Sequence, residues 1–448
     1  MTIWLDVTST LRWAKKPVGI IRTELELIKH ALKTDVRFVR FDNAGGRPSE
    51  VPMTDMIKAL VNLETFTGDM SSDSRFLKIL RAKPVGDTKH KMRWRAFAFY
   101  LEIPKWAKEL VSIAYRMASK PQDLTPVEAD LHHKCERSCA WLLFQGGDTV
   151  LSAGFNWEYL NLVELKQIKK THGFKLATFA YDTIPAKFPQ FVPAGFSEKF
   201  TQYFRGIVSV SEAIFAISEV TKMDVTEFCD QHQISNIPQM RVVKLGCDLA
   251  SMDASPSLPE GIEPHEYVLL ISTIECRKNH STVYKAYARI AQENPGKKLP
   301  TMLFVGTMGW HVDDLVRDLR ADPWVNGKKS NSQIKLLQGI SDSELERLYK
   351  SALVSTFPSF YEGWGLPIAE SQAFGTPAIV SSAGAAPEAS AGLATVIDPL
   401  DTLAWKEELE RFFFDEGYRE QKSKILTGYK APIWSDFCLD VFAQIESM

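Results

Sequence analysis

Two glutamates bracket a glycine-rich turn in the stretch YEGWGLPIAE, which spans residues 361–370. An apolar run at 353–357 predicts a strand just before the turn, and Pro367 is typical of the first turn of a helix. Unpaired N–H groups and the helix dipole at such a helix start favour an anion such as phosphate, and glycines let it approach the backbone. The turn therefore has the parts of a phosphate site with a carboxylate on each side.

The two glutamates are placed for different tasks. Glu370 falls inside the predicted helix, where a carboxylate can accept hydrogen bonds from a ribose diol, as acidic residues do in nucleotide-binding α/β folds. Glu362 precedes the anion pocket and is placed to bind hydroxyls of the group that the phosphate carries. The alternative is a helix-capping glutamate beside a surface glutamate, and the spacing alone leaves both interpretations open.

Two cations follow a predicted strand in the same half of the chain. Arg277 and Lys278, in ISTIECRKNH, come after an apolar run at 266–272 and before a helical pattern. Two cations at the carboxyl edge of a sheet suit a diphosphate. A solvated basic turn is the alternative.

Four residues of the first half are predicted to lie near strand ends. Gly19 follows the first predicted strand and opens a helix, with Arg22 one turn further on, and Asp182 and Ser211 follow later strands. The alternative role of Ser211 is a helix N-cap. Together these positions place polar groups at the carboxyl ends of strands in two adjoining domains, where open α/β sheets bind ligands.

Short apolar runs alternate with helical patterns along most of the chain, so the sequence predicts an α/β fold with two doubly wound, Rossmann-like domains. The predicted strands of the first half are 3–9, 36–42, 140–145, 175–181, 206–210 and 240–245. Those of the second half are 266–272, 301–306, 334–338, 353–357, 377–382 and 394–397. Helices are predicted to start near Asn279, Trp310, Ser341 and Pro367, and Ser341 with Glu344 has capping-box spacing.

The alternation also predicts how the chain is divided. The first domain spans 1–250 and carries a mostly helical insertion at about 43–135, and the second spans 262–430. Between them, 250–266 is rich in Ser, Pro and Gly and reads as a linker. The final helical pattern, 434–448, is predicted to pack back on the first domain.

Composition restricts the class of protein. The chain has 448 residues, of which 45% are hydrophobic and 24% charged, and its net charge of −2 argues against a chain-wide field for nucleic acid or membrane. Six cysteines are too sparse for a disulfide framework, and neither an export signal nor an apolar run of 18 residues is visible. We therefore expect a cytoplasmic protein without a nucleic-acid partner.

Metal and cofactor signals are weak. Cys135 and Cys139 lie beside His132 and His133, but no second ligand pair follows at a suitable spacing. The acidic pair at 313–314 falls in a helical pattern rather than at a strand end. We expect no metal site and no cofactor.

The segment 89–120 within the insertion is basic and aromatic. It has eight Lys or Arg residues against two Glu, interleaved with Trp, Phe and Tyr. Such a pattern suits a helix in an anionic membrane interface. Helices whose aromatic side chains pack on the first domain are an equally good interpretation.

These motifs resemble the retaining glycosyltransferases of family 4, the group 1 glycosyltransferases, which have the GT-B fold. EGWGLPIAE is similar to their Glu-x7-Glu motif, and GTPAIVSSAGAAPE, TIECRKN, VSVSEA and VKLGCDL are similar to other family segments. DVTST…PVGIIRTELE and YDTIPAKFPQFV resemble the N-terminal signatures of bacterial O-antigen and capsule mannosyltransferase-like members. The resemblance covers most of the chain outside 43–135.

The resemblance implies a role for each matching residue of the second domain. Glu370 would bind the donor ribose and Glu362 the transferred sugar. Lys278, helped by Arg277, would stabilise the charge on the leaving nucleoside diphosphate. The backbone N–H groups that would meet the sugar or the diphosphate belong to Gly363, Trp364, Gly365 and Leu366.

Further roles are implied outside that turn. Asp182 would orient the acceptor hydroxyl or the sugar, and with Lys278 and Glu362 it completes the expected catalytic set. Gly19 would lie by the acceptor or a phosphate. The remaining expected substrate-binding residues are Arg22 and Ser211 in the first domain, and Gln338 and Ile340, whose backbone would frame the base.

The chain departs from the family pattern at two positions. Tyr181 stands before Asp182 where many members have histidine, and Thr273 stands five residues before the lysine where many have arginine. Arg277 is placed to replace the second of these charges. Both departures bear on role assignments rather than on family membership.

The resemblance implies a metal-independent, retaining transferase that moves a sugar from a nucleotide donor to a lipid-linked or growing bacterial surface-polysaccharide acceptor. GDP-mannose is the first expected donor, and the inner-leaflet surface is a further partner through 89–120, which would make the protein peripheral on the cytoplasmic face of the inner membrane. A UDP-sugar-dependent transferase of the same family and a nonenzymatic GT-B-fold binding or assembly protein are the alternatives. A dehydrogenase is disfavoured, because no Gly-x-Gly-x-x-Gly follows the first strand.

Overall fold

The N-terminal part of the chain forms the first sheet. The computed structural model describes residues 1–13, 19–41, 48–65, 144–248, 257–329 and 332–448. Within these ranges the first sheet has seven strands in the order β3-β2-β1-β4-β5-β6-β7, and its neighbouring pairs are parallel apart from β2–β3. The strands are β1 (Ile3–Asp6), β2 (Arg37–Phe41), β3 (Pro48–Val51), β4 (Thr149–Ser152), β5 (Lys175–Ala180), β6 (Ala213–Ala216) and β7 (Gln239–Val242).

Helices separate these strands in the chain. They are α1 (Thr8–Leu11), α2 (Ile20–Ala31), α3 (Met53–Thr65), α4 (Asn156–Tyr159), α5 (Leu162–His172), α6 (Ile184–Lys187), α7 (Phe196–Val208) and α8 (Glu219–Gln231). A single 3-10 turn, Pro189–Phe191, follows α6. We call this sheet and its helices the first domain.

The second sheet is parallel throughout its described length. Its six strands lie in the order β10-β9-β8-β11-β12-β13. They are β8 (Tyr267–Ile271), β9 (Thr301–Val305), β10 (Ile334–Leu337), β11 (Val354–Phe357), β12 (Ala378–Ser381) and β13 (Thr395–Ile397).

The helices of the second half complete the architecture. They are α9 (His280–Glu293), α10 (Asp313–Ala321), α11 (Asp342–Lys350), α12 (Leu366–Ala373), α13 (Ala386–Ala389), α14 (Thr402–Phe414), α15 (Glu416–Ile425) and α16 (Trp434–Glu446). A 3-10 turn, Cys276–Lys278, precedes α9. We call the second sheet with helices α9–α15 the second domain.

Local signals explain where several of these elements begin. Ser341 accepts a hydrogen bond from Glu344 N, and the Glu344 carboxylate accepts one from Ser341 N, so the predicted capping box is formed at the start of α11. Pro367 lies in the first turn of α12, as its fixed φ allows. In β8, Val268, Leu269 and Leu270 are all buried, which is the pattern expected of a parallel strand covered on both faces.

One predicted strand of the first half is wrong, and another, 140–145, lies mostly outside the described residues. Residues 206–210 overlap the end of α7, where Phe200, Phe204 and Ile207 are buried at helical spacing. The apolar, β-branched end of α7 resembles a strand in composition, but the strand in this part of the chain is β6. The described residues of 140–145, Phe144 and Gln145, lie outside any strand, and β4 begins only at Thr149.

The predicted insertion is described only in part. Residues 48–51 pair antiparallel with β2 as an edge strand that the sequence analysis did not predict. Residues 66–143 lie outside the described residues, and so do the basic segment 89–120, the His132–Cys139 cluster and residues 249–256 of the predicted linker. Of the described helices, none has the length and apolar character needed to cross a bilayer.

The chain crosses between the two domains twice, and the crossings lie side by side. Cys247 N donates to the Pro432 carbonyl at 2.9 Å, and Trp434 N donates to Asp248 Oδ1 at 2.7 Å. A Cβ atom on Gly246 would overlap the backbone of Trp434, so glycine is needed at this close approach. The final helix, α16, then packs against α2 of the first domain.

Candidate active site

Glu362 forms two ion pairs at the carboxyl edge of the second sheet. It follows β11, while Arg277 and Lys278 lie in the 3-10 turn after β8, the strand beside β11. Arg277 Nη1 lies 2.8 Å from Glu362 Oε2, and Lys278 Nζ lies 2.6 Å from Oε1. The parallel sheet thus brings together the two cations and the first glutamate of the motif, as the strand-end argument predicted.

The cations change the ionisation of Glu362. Burial alone would raise the pKa of this carboxyl, but the charges of Arg277 and Lys278 outweigh burial and lower it to about 2. Burial and the neighbouring Arg277 lower the pKa of Lys278, and Glu362 opposes that change. Arg277 is further held by Glu275, whose Oε1 accepts from Nη2 at 2.8 Å.

Asp182 lies against the same turn from the first domain. A Cβ atom on Gly363 would overlap the Tyr181 carbonyl oxygen and would lie 2.8 Å from Asp182 Cβ. Asp182 Oδ1 accepts a hydrogen bond from Ile184 N at 2.9 Å. Burial raises the pKa of Asp182, and the charge of Arg277 opposes this. The structure therefore brings Asp182 to the group formed by Glu362, Arg277 and Lys278, which we call the Glu362 cluster. Gly363 allows this close approach.

Glu370 forms a second cluster with residues of both domains. Arg22 Nη1 of α2 lies 3.2 Å from Glu370 Oε1, and the Tyr349 hydroxyl donates to Oε2 at 2.8 Å. Arg22 Nη2 also donates to the Asp248 carbonyl at 2.7 Å, and its guanidinium lies 5.4 Å from the Trp434 ring centroid. Burial raises the pKa of Glu370 above its usual value, and the charge of Arg22 offsets only part of this increase. Arg22 was predicted near the site from its position alone, but its partner was not.

The glycine-rich turn has hydrogen-bonded carbonyls on its N-terminal side and three N–H groups without an acceptor among the described residues. Arg277 Nη1 donates to the Tyr361 carbonyl at 2.7 Å, and Ala385 N donates to the Glu362 carbonyl at 2.9 Å. Across the described part of the chain, the N–H groups of Gly363, Trp364 and Gly365 have no protein acceptor. Together with the start of α12 and two cations, they form a group of donors suited to an anion.

The predicted placement of Ser211 is wrong. This residue precedes β6 rather than following a strand, and its buried hydroxyl donates to the Ile207 carbonyl at 2.8 Å and contacts Thr178 Oγ1 at 3.2 Å. The residue at the carboxyl end of β6 that reaches the site is Ser218, which the sequence analysis missed. Ser218 begins α8 as its N-cap.

Four other predicted residues are Gly19, Gln338, Ile340 and Trp364, and the first three lie next to a helix or strand end. Gly19 is the N-cap residue of α2 with φ of 52°, in the left-handed region that suits glycine. Gln338 and Ile340 follow the edge strand β10, and Gln338 is exposed. Trp364 is buried, and its indole N–H has no acceptor among the described residues.

The two positions that depart from the family pattern differ in environment. The Tyr181 hydroxyl donates to the Ala153 carbonyl at 2.6 Å, so this side chain points along the first sheet's carboxyl edge. Thr273 is exposed beside the turn that carries Arg277 and Lys278. Among the described residues, no group of three or more His, Cys, Asp or Glu side chains could hold a metal ion.

Several residues that support the site were not predicted. Tyr349 bonds to Glu370, Glu275 bonds to Arg277, and the Tyr361 hydroxyl bonds to Asp224 of α8 at 2.9 Å. The Glu388 carboxylate accepts from Glu219 N at 3.1 Å, at the start of α8. A sequence signal existed only for α8, in which polar residues recur at 218, 221 and 224 on one helix face.

Comparison with known proteins agrees with the predicted resemblance. Residues 259–425 match the family model described as glycosyl transferases group 1. The chain is 28% identical over 219 residues to O-antigen chain mannosyltransferase B of Escherichia coli, a match that covers 47% of this chain and 54% of that protein. It is 29% identical over 236 residues to the serotype-specific mannosyltransferase WbdA of Escherichia coli, covering 50% of this chain and 28% of WbdA. The chain therefore spans about half or less of the length of these relatives.

Solved structures match over the whole chain at low identity. HepE of Anabaena, solved in complex with UDP and glucose, matches with a TM-score of 0.56 and 12% identity over 100% of both chains. A sucrose-phosphate synthase from Thermosynechococcus elongatus matches with a TM-score of 0.55 and 16% identity, covering 100% of this chain and 98% of its own. These likenesses concern the fold, and they confirm the predicted GT-B architecture of two Rossmann-like domains.

Proposed function

Residues 259–425 belong to the group 1 glycosyl transferases and the chain has the GT-B fold, and from this premise we propose that the protein is a glycosyltransferase with a nucleotide-sugar donor. The single observation that carries the proposal is the Glu362 cluster. There, two cations lie 2.6 and 2.8 Å from one carboxylate, beside a turn in which three N–H groups have no acceptor within the described part of the chain. A diphosphate and a sugar together need this set of groups.

Each group has a task in the proposed complex. Glu370 accepts hydrogen bonds from the ribose, Glu362 accepts them from the sugar, and the N–H groups of the turn meet the diphosphate or the sugar. Lys278 and Arg277 stabilise the negative charge that develops on the diphosphate as it leaves. Asp182 orients the acceptor hydroxyl from the other side of the cleft.

The proposed reaction proceeds with retention on one face of the sugar. The acceptor hydroxyl oxygen forms a bond to the anomeric carbon while the bond from that carbon to the diphosphate oxygen breaks. The electron pair of the broken bond stays on the diphosphate, which also takes the hydroxyl proton. Because two cations and backbone N–H groups supply the charge stabilisation, we expect the same transfer rate with and without a metal chelator.

GDP-mannose is the proposed donor, and a bacterial surface polysaccharide or its lipid-linked precursor is the proposed acceptor. The two Escherichia coli relatives named as mannosyltransferases support this choice. The experiment is a donor panel in which the purified chain is incubated with labelled GDP-mannose, other GDP-sugars and UDP-sugars, with a lipid-linked glycan acceptor. We expect transfer or slow donor hydrolysis with GDP-mannose. A folded protein that consumes none of the donors would favour the nonenzymatic alternative, and consumption of a UDP-sugar alone would correct the donor.

Lys278→Ala tests the assignment of the cation. The variant should lose turnover by at least about a hundredfold, because charge stabilisation of a leaving group is commonly worth that much or more. Its matched control is Lys285→Ala, which removes an exposed lysine from α9. Circular dichroism and thermal unfolding establish that both variants fold. A rate like that of the wild type would assign the leaving-group charge to Arg277 instead.

We also propose that the segment 89–120 binds an anionic membrane surface. The support is its sequence alone, with eight basic residues among aromatic ones. Co-sedimentation with vesicles containing about one-third phosphatidylglycerol should retain the full chain and lose a variant in which the eight basic residues are replaced by glutamine. Equal sedimentation of the two would favour packing of the segment on the first domain.

A further inference from the structure

Two hydroxyls of the first domain hold one carbonyl of the glycine-rich turn in the second domain. Ser218 Oγ lies 2.7 Å from the Gly363 carbonyl oxygen, and Thr221 Oγ1 lies 3.0 Å from it. Both side chains belong to the start of α8 and are fully buried. The chain separates them from Gly363 by more than 140 positions, so this contact exists only where the two domains meet.

The contact fixes the direction of a neighbouring N–H group. The Gly363 carbonyl and the Trp364 N–H belong to one planar peptide unit, and in a trans peptide they point in opposite directions. The described residues contain no cis peptide bond. When Ser218 and Thr221 hold the carbonyl on the α8 side, the Trp364 N–H must point to the opposite side of the turn, and no protein acceptor in the described structure takes it.

Two other carbonyls of the turn are held from within the second domain. Arg277 donates to the Tyr361 carbonyl and Ala385 N donates to the Glu362 carbonyl. The peptide between Gly363 and Trp364 follows a glycine, and the missing Cβ atom of Gly363 restricts the direction of this peptide less than an ordinary side chain would. Among the described residues, the α8 side chains Ser218 and Thr221 are the groups that donate to its carbonyl.

We propose that Ser218 and Thr221 are positioning residues that orient the Gly363–Trp364 peptide so that its N–H group binds the diphosphate or sugar of the donor. Ser218 and Thr221 belong to the first domain, whereas the glycine-rich turn that they orient belongs to the second. The affinity for the donor then depends on contact between the two domains. The proposal rests on the proposed function, since it takes a nucleotide sugar as the ligand. It adds two residues of the first domain to the donor site.

Thr221→Val is the most direct test. Valine has nearly the same shape as threonine, and the backbone N–H of residue 221 still donates to Ser218, so the N-cap of α8 is kept. The dissociation constant for GDP-mannose should rise by about tenfold, because the less well oriented N–H group loses a binding free energy of roughly one hydrogen bond. The dissociation constant for guanosine should stay within about twofold, since guanosine carries no diphosphate. Thr226→Val is the matched control, because it removes an exposed hydroxyl from the same helix.

Ser218→Ala tests the second hydroxyl, with a correction for helix capping. Because Ser218 is also the N-cap of α8, the variant loses stability as well as the contact with Gly363. Asn161→Ala removes the N-cap of α5 and supplies the matched loss of a cap without touching the turn. We expect Ser218→Ala to weaken GDP-mannose binding by about tenfold, and Asn161→Ala to lower only the melting temperature.

The outcomes separate this inference from the proposed function. If the wild type binds GDP-mannose but Thr221→Val and Ser218→Ala bind it as the two controls do, the inference is overturned and the function stands. An equal loss of affinity for GDP-mannose and for guanosine would also overturn it, because a general structural defect would then explain the data. If the wild type binds and turns over none of the nucleotide sugars, the proposed function itself has failed.

Discussion

A single buried carboxyl in the first domain should make the stability of the protein depend on pH. Glu24 of α2 is fully buried, and its Oε1 accepts a hydrogen bond from Thr10 N at 2.8 Å. Burial, together with the nearby charge of Asp6, raises the pKa of Glu24 from 4.5 to about 8. The carboxyl is therefore protonated at neutral pH in the folded protein and ionised in the unfolded chain.

The sign of the effect follows from proton binding. Between pH 4.5 and about 8 the folded state holds a proton on Glu24 that the unfolded state has lost, so the free energy of unfolding falls as the pH rises through this window.

Glu24→Gln keeps the shape and the acceptor oxygen but cannot ionise. We expect the variant to gain stability relative to the wild type as the pH rises from about 5 to about 8. Urea unfolding at a series of pH values measures this, with Glu420→Gln as an exposed control; parallel curves for Glu24→Gln and the wild type would contradict it.

Individual site residues were predictable where residue type and strand ends coincide. Glu362 and Lys278 follow adjacent parallel strands, so a sheet argument is enough to bring them together, and the structure has them 2.6 Å apart. The partner of Glu370 could not be predicted in this way. Arg22 lies 348 positions away in the chain, and no local pattern encodes a contact between two domains.

At the scale of elements, helix α8 is one support of the glycine-rich turn. Ser218, Thr221 and Asp224 are spaced three residues apart, which places them on one face of the helix. The first two reach the Gly363 carbonyl, and Asp224 accepts from the Tyr361 hydroxyl at 2.9 Å and pairs with Lys187. The sequence analysis did not identify this face, because polar residues at a helix start are usually explained by capping.

Tyr361→Phe tests the outer part of this support. The hydroxyl lies 2.9 and 3.0 Å from the two Asp224 oxygens, and its loss should lower the free energy of unfolding by about 1.5–3 kcal/mol, the range for a hydrogen bond to a charged group. A double-mutant cycle with Asp224→Asn isolates the pair, and we expect a coupling energy of about 1 kcal/mol. Additive effects of the two substitutions would show that the contact contributes nothing.

Strands buried on both faces were easier to predict than the antiparallel edge strand of the first sheet. Parallel strands buried on both faces have a strong sequence signal, and every predicted strand of the second half overlaps a strand of the structure. The antiparallel edge strand β3 has the sequence PSEV, which is short and half polar and gives no such signal. The error at 206–210 arose because an amphipathic helix that ends in Ile207 and Val208 has the same β-branched residues as a buried strand.

At the scale of the whole molecule, two domains were predictable but the contacts between them were not. The second domain meets α8 at Gly363 and Glu388, and it meets α2 at Arg22, while the two chain crossings are joined by hydrogen bonds at Cys247 and Trp434. Each of these contacts joins segments far apart in the chain. Periodicity and composition report on local structure, so they carry no information about such pairs.

Arg22 is placed to be the centre of this interdomain contact. It joins α2 to Glu370 of α12, to the Asp248 carbonyl at one chain crossing, and to the Trp434 ring at the other. Arg22→Ala should therefore loosen the contact between the domains while each domain stays folded. We expect backbone amides of α12 and of 243–248 to exchange with deuterium about tenfold faster, since a few ion-pair and hydrogen-bond contacts of about 1 kcal/mol or more are lost.

The interior of the second sheet supplies the reference for that experiment. Amides of β8 and β9 lie in the core of the second domain, and their exchange should stay unchanged in Arg22→Ala. Arg289→Ala is the matched variant, because it removes an arginine whose exposed ion pair with Glu293 lies within one helix. Equal exchange of α12 in Arg22→Ala and Arg289→Ala would show that Arg22 does not hold the domains together. Faster exchange in α12 and 243–248 alone would identify Arg22 as a residue that holds the two domains together. Because Arg22 pairs with Glu370, the proposed binding of a ribose at Glu370 would then have to rearrange a contact between the domains.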